Sequence, residues 1–247
     1  QRKKLSKRRD KVAVEQYREE GILPDAMVNY LMTLGWTPPD AEEAGSEIFP
    51  WNELEAAFRL EDVTLSPAFF DVKKLTAFNK QYIKNMDPVE YLAAASAELP
   101  DDWDRARFAA IAPHIQERLE TLKDVPGMVD FLFWPQGDDA PPIDYDDASW
   151  GKATKPEWSA ALLADVINAY GSVESWDHES LKATMEEVMG RYEVKLGKAQ
   201  ALPRVAVTGR SVGPPLFEAF EVLGRSETIR RLAAAADHLG SPGESPG

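Results

Sequence analysis

Lys4-Leu5-Ser6-Lys7-Arg8 is the part of this chain best suited to polyphosphate chemistry. A triphosphate needs several cations and N–H groups within reach of its oxygens. Lys4 and Lys7 supply two point charges three residues apart, and Ser6 adds a hydroxyl. A lysine ammonium can follow phosphate oxygens as charge shifts in a transition state. The first eleven residues hold seven of the 28 Lys and Arg residues, in a chain of 247 residues with a net charge of -14. Read alone, the pentapeptide is weak evidence, and a nuclear-localisation signal or solvated tail is the better reading.

Charge is unevenly placed. Residues 1–20 carry net +4, residues 21–150 net -16 and residues 151–247 net -2. Inside the last part, residues 195–231 hold seven basic groups against three acidic ones. A polyanion could engage both basic stretches despite the overall sign, because local potential governs association. Ordinary surface charge is the competing reading. There are no cysteines, which excludes disulfides, thiolate metal sites and cysteine nucleophiles. His114, His178 and His238 are scattered, so no histidine metal site is expected. The charged first residues contain no apolar core of a signal peptide. No apolar run approaches the ~18 residues of a membrane span.

The elements that must position these groups read as helix after helix. Met27, Tyr30, Leu31 and Leu34 follow Pro24-Asp25 at helical spacing, and Gly35 closes the segment. Further helices are predicted over 50–58, 71–84, 87–98, 104–123, 156–170, 178–191, 215–223 and 226–238. Arg204-Val-Ala-Val-Thr208 is the best strand candidate. The stretch 134–147 is rich in Pro, Gly and Asp and reads as a loop between helical modules. A disordered tail is expected over 240–247.

Arg118 falls within the stripe of Ile111, Ile115 and Leu122 at 100° per residue. An arginine there must snorkel, pair with an acid or bind a ligand. Arg204 lies beside Thr208, Gly209 and the Gly213-Pro214-Pro215-Leu216 turn. A tight Gly/Pro backbone can face an unstacked base with its N–H groups, while an arginine adds charge and a stacking plane. A helix-connecting turn with a surface arginine is the alternative. Lys198 and Arg210 are candidates for phosphate contact. Trp51, Trp103, Trp158 and Trp176 read as core residues. The acidic clusters at 101–104 and 144–147 lack metal-loop spacing and read as solvated.

A resemblance adds to this. Lys4-Leu-Ser-Lys-Arg8 is similar to the lysine-serine-lysine loop of class I aminoacyl-tRNA synthetases. Val14-Glu-Gln-Tyr-Arg-Glu-Glu-Gly-Ile-Leu-Pro-Asp25, Ser66-Pro-Ala-Phe-Phe-Asp71, Tyr192-Glu-Val-Lys-Leu-Gly197 and Arg204-Val-Ala-Val-Thr-Gly-Arg-Ser-Val-Gly-Pro-Pro-Leu-Phe217 resemble the bacterial glutamyl-tRNA synthetases in order, to about Leu232. The resemblance implies an all-α chain. A remnant of the ATP loop over 1–11 would precede a stem-contact helical domain over 12–86. An anticodon-binding helical cage would follow in two parts, 87–147 and 148–239. It implies that Lys7 contacts ATP phosphates and that Lys4 and Ser6 shape the loop. The doubled Arg8-Arg9 departs from the usual pattern there. It implies that Arg118 reads the last anticodon base, that Arg204, Thr208 and Leu216 meet the first ones, and that Lys198 and Arg210 touch phosphate. Family members that also accept the glutamine tRNA tend to lack an arginine at the position of Arg118, so a discriminating enzyme is implied. The implied partners are the glutamate tRNA and, in the whole enzyme, ATP with Mg and glutamate. The implied setting is a cytoplasmic monomer with no membrane association. The nucleotide-binding half would lie upstream, so the chain alone is expected to bind no ATP and to be inactive. A stand-alone tRNA-binding module and the related cage of a class I lysyl-tRNA synthetase are the alternatives.

Overall fold

A computed structural model describes residues 13–64 and 68–240. The loop residues Lys4, Ser6 and Lys7 and the tail 241–247 lie outside them. Every regular element among the described residues is helical. Two units are present: Gln1–Pro100 with Gln116–Pro126, and Asp101–Ile115 with Gly127–Gly247.

The first unit contains α1 (Val14–Glu19), α2 (Pro24–Met32), α3 (Ala41–Ala44), α4 (Trp51–Ala57), α5 (Val72–Asn85) and α6 (Pro88–Ser96). Pro24 and Pro88 stand at the first helical positions of α2 and α6, where a fixed φ and a missing N–H cost nothing. Asp71 caps α5 by accepting from the Lys73 and Lys74 N–H groups, and Asp87 caps α6 in the same way. α2 packs against α5, and Tyr17, Met27, Tyr30, Leu75 and Phe78 form their shared core. Two buried amides bind the loops to it. Asn79 accepts from Leu23 N–H at 2.7 Å and donates to the Glu120 carbonyl at 2.7 Å. Asn29 donates to the Glu47 carbonyl and accepts from Phe49 N–H.

The helix predicted over 104–123 is shorter than expected. α7 (Arg105–Ile115) tightens into a 3-10 turn over Gln116–Arg118 and stops. Pro113 inside α7 removes one N–H from the helical ladder. Downstream, Thr121 and Asp124 form their own capping box, starting a new 3-10 turn at Leu122. The apolar spacing through Leu119 and Leu122 therefore reflects burial in separate segments, not one helix.

α8 (Val125–Val129) leads into the second unit. There follow α9 (Asp147–Thr154), α10 (Ser159–Gly171), α11 (His178–Gly190), α12 (Leu196–Ala199), α13 (Ala201–Thr208), α14 (Leu216–Leu223) and α15 (Arg225–Gly240). α10 packs against α11 and α15, α13 against α9 and α15, and α14 against α7 and α11. The strand candidate 204–208 is helical, as part of α13. Leu202, Pro203, Val205, Ala206, Val207 and Thr208 are all buried, and a helix covered on nearly every side shows an apolar run instead of a clean stripe.

One charged cluster lies inside this unit. Arg231 is fully buried on α15, with Nε donating to Glu227 at 2.6 Å and Nη1 to the Phe131 and Val207 carbonyls. Its guanidinium stands 5.2 Å from the centre of the Trp134 ring. Arg230 also donates to Glu227, as does Gly137 N–H. Burial opposes ionisation of Glu227, but the hydrogen bonds from Arg230, Arg231 and Gly137 outweigh it and hold the carboxyl at about 2.

Candidate nucleic-acid interface

A cleft of about 840 Å³ opens in the second unit between α9, the entrance to α10, residues 193–195, α12 and α13. Its walls bring together Lys152 from α9, Lys195 from the N-cap of α12, Lys198 from α12 and Arg204 from α13. Glu193 is its sole acidic lining residue. Lys152, Lys195 and Lys198 are exposed, and none has an ion-pair partner among the described residues. Four cations lining one concavity of an acidic chain focus a positive potential that the net charge conceals. Glu193 takes φ 53° and is the one non-glycine residue in the left-handed region among those described. It turns the chain out of α11, so that Val194 and Lys195 reach the cleft wall.

The far wall is set by the turn between α13 and α14, which is fastened at several points. Arg204 Nη1 donates to the Pro214 carbonyl at 2.6 Å. The Thr208 hydroxyl bonds the Arg204 and Arg210 carbonyls, each at 3.0 Å. Ser211 N–H donates to the Ser149 hydroxyl, and Asp146 N–H to the Gly209 carbonyl. Gly209 has φ 74°, and a Cβ there would stand 2.9 Å from the Asp144 carbonyl oxygen. Only glycine meets both demands.

The predicted residues therefore occupy different settings. Arg204 and Lys198 share the cleft. Thr208 is 1% exposed and Leu216 is 2% exposed; the first ties the turn and the second fills the core under α14. Arg210 forms an ion pair with Asp130. Arg118 belongs to the first unit. It is exposed at the C-terminal end of its 3-10 turn, with no acid partner among the described residues. Its place in the apolar stripe depended on a helix reaching Lys123. Because the helix stops at Arg118, the side chain leaves the stripe for solvent, where a cation suits the helix end. The sequence reading passed over Lys152 and took Trp158 for a core residue, whereas it lines the cleft. α9 and α13 meet through residues more than fifty positions apart, and the one local signal was the basic stretch that begins at Lys195.

Among the described residues, no cluster of His, Cys, Asp or Glu has the makings of a metal site. None of their helices is long and apolar enough to cross a membrane.

A helical cage with a cationic cleft is the architecture of an anticodon-recognising domain, and comparison with known proteins agrees. The family described as anticodon binding domain matches residues 68–236, and the chain belongs to it. Residues 1–77 match the catalytic domain of the class I tRNA synthetases for E and Q. Among curated relatives, the glutamate–tRNA ligase of Frankia casuarinae is 52% identical over 246 residues, covering 96% of this chain and 50% of the relative. The glutamate–tRNA ligase of Thermobifida fusca is 47% identical, covering 98% and 51%. The chain thus spans about half the length of the curated relatives it matches. A solved glutamate tRNA ligase from Elizabethkingia meningosepticum superposes with a TM-score of 0.72 at 26% identity, over 90% of this chain and 43% of that one.

Proposed function

We propose that this chain is the tRNA-recognition half of a glutamate–tRNA ligase. The observation that carries the reading is the cleft of Lys152, Lys195, Lys198 and Arg204, whose three lysines lack ion-pair partners among the described residues, inside the region that matches the anticodon-binding family. RNA backbone is the polyanion such a cleft suits, and an unpaired loop is the part of RNA that protein groups can enter.

Residue roles follow from the placements. Lys198, with Lys152 and Lys195, contacts phosphate. Arg204, held to the Pro214 carbonyl, presents its guanidinium plane from the base of the turn. Thr208 and Leu216 hold that turn and do not themselves meet a base, and Arg210 holds it through Asp130. Arg118, exposed at its helix end, reads the last anticodon base. Residues 12–86 form the stem-contact part, and 87–147 with 148–239 the anticodon-binding part. In the whole ligase, the loop bearing Lys4, Ser6 and Lys7 would serve ATP with Mg, and the product would be glutamate joined to its tRNA in the cytoplasm by a monomer.

Filter binding of the 247-residue chain to glutamate, glutamine and lysine tRNAs tests the reading. Tighter retention of the glutamate tRNA is expected. Equal affinity for all three contradicts it, and tightest binding of the lysine tRNA assigns the chain to the lysyl branch instead.

A further inference from the structure

Trp158 differs from the other half-buried tryptophans in the surroundings of its side chain. Trp36 meets Phe58, Trp103 stacks on Phe133, Trp150 stacks on Tyr145, Trp176 meets Tyr170, and Trp134 lies under Arg231. The Trp176 indole N–H donates to the Phe220 carbonyl. The Trp158 side chain has no ring, cation or hydrogen-bond partner among the described residues. Trp51 also has none, but it is 47% exposed and lies in the other unit. A tryptophan serving only as filler in a core is covered by neighbours, and its N–H normally finds an acceptor. Trp158 instead lines the cationic cleft, at the residue that precedes α10.

Its surroundings match the needs of single-stranded RNA. Lys152 comes to the cleft lining from α9, and Lys195 and Lys198 from the N-cap and the body of α12. Aromatic faces flanked by unpaired cations are how proteins hold unstacked nucleotides, the ring taking a base and the cations the backbone. A volume of about 840 Å³ lies inside the range of roughly 300–1,000 Å³ usual for ligand sites and leaves room for a base beside the indole.

We propose that Trp158 is a stacking platform for one unpaired base of the bound RNA, with Lys152 and Lys195 holding the adjoining phosphates. The proposal rests on the tRNA-recognition reading and adds a base contact outside the Arg204 turn. It commits to an unpaired nucleotide, because the ring of a paired base is covered on both faces by its neighbours in the stack.

Fluorescence anisotropy with the full 247-residue chain tests it, using a labelled anticodon-arm RNA hairpin and the same stem as a blunt duplex. Trp158→Ala is expected to weaken hairpin binding about tenfold, since stacking on an aromatic contributes roughly 1–3 kcal/mol per base, and to leave duplex binding unchanged. Trp158→Phe keeps a ring face and is expected to retain most of the affinity. Indole emission supplies a readout independent of stability: quenching by the hairpin in the wild type should shrink in Trp158→Phe. If the wild type binds no hairpin, the tRNA-recognition reading fails and this proposal with it. If the wild type binds and Trp158→Ala binds equally well, the stacking role alone is overturned. Equal losses in the Ala and Phe variants, with quenching unchanged, would make Trp158 a packing residue and overturn it too.

Discussion

Two cationic clusters in the second unit differ in their acid and in their burial. Arg230 and Arg231 close on Glu227, and Arg231 has no exposed surface. Lys152, Lys195 and Lys198 line an open cleft, and none of the three has an ion-pair partner among the described residues. A buried charge without a partner is costly, so Arg231 is tolerated at full burial because the Glu227 carboxylate and two backbone carbonyls face it. Exposed lysines need no partner for stability, and their convergence leaves a potential free to act on a ligand. Pairing, more than the count of basic residues, separates a structural cluster from a binding surface.

The comparison is easiest to break at the sealed cluster. Glu227→Gln leaves two arginines in low dielectric with a weakened acceptor, and a loss of about 3–5 kcal/mol is expected in chemical denaturation. If stability is unchanged, the cluster is not a keystone. Acid should act through the same group. Glu227 is lowered from its ordinary value of 4.5 to about 2, so its contribution is complete above about 4.5 and disappears as pH falls toward 2. Thermal melts between those values should show a decline in the wild type that is flatter in Glu227→Gln.

Smaller effects are expected at the cleft's edge. Arg204→Lys removes the donor to the Pro214 carbonyl, costing about 1 kcal/mol and weakening RNA binding more than it weakens the fold. Arg118→Gln, in the other unit, should leave stability within about 0.5 kcal/mol. It should reduce the preference for glutamate over glutamine tRNA. An unchanged ratio of affinities would remove Arg118 from the specificity role.

The helical character was legible because apolar residues at three- and four-residue spacing, as in α5 and α10, face a core directly. Two errors have a common origin. The α13 run Val205-Ala-Val-Thr208 looked strand-like because burial on most sides erases the helical period. The segment after Ile115 looked helical because burial continued while the backbone changed course at Pro113 and Thr121. In the cleft, the positions of Arg204 and Lys198 in a basic stretch were legible in the sequence. Lys152 and Trp158 were not, since their meaning comes from α9 and α10 facing α12 and α13. Equally, nothing near Arg210 in sequence announces Asp130, eighty positions away, as its partner.

On the proposed function, the open cleft and not the sealed cluster binds RNA. The most direct measurement is the salt dependence of glutamate-tRNA affinity for the wild type and for the combined variant Lys152→Gln, Lys195→Gln and Lys198→Gln. Each phosphate contact on a single strand contributes about 0.7 to the slope of log affinity against log salt. The variant should therefore bind more weakly and show a slope shallower by roughly 2, at unchanged stability. An identical affinity and slope in the two proteins would contradict the account.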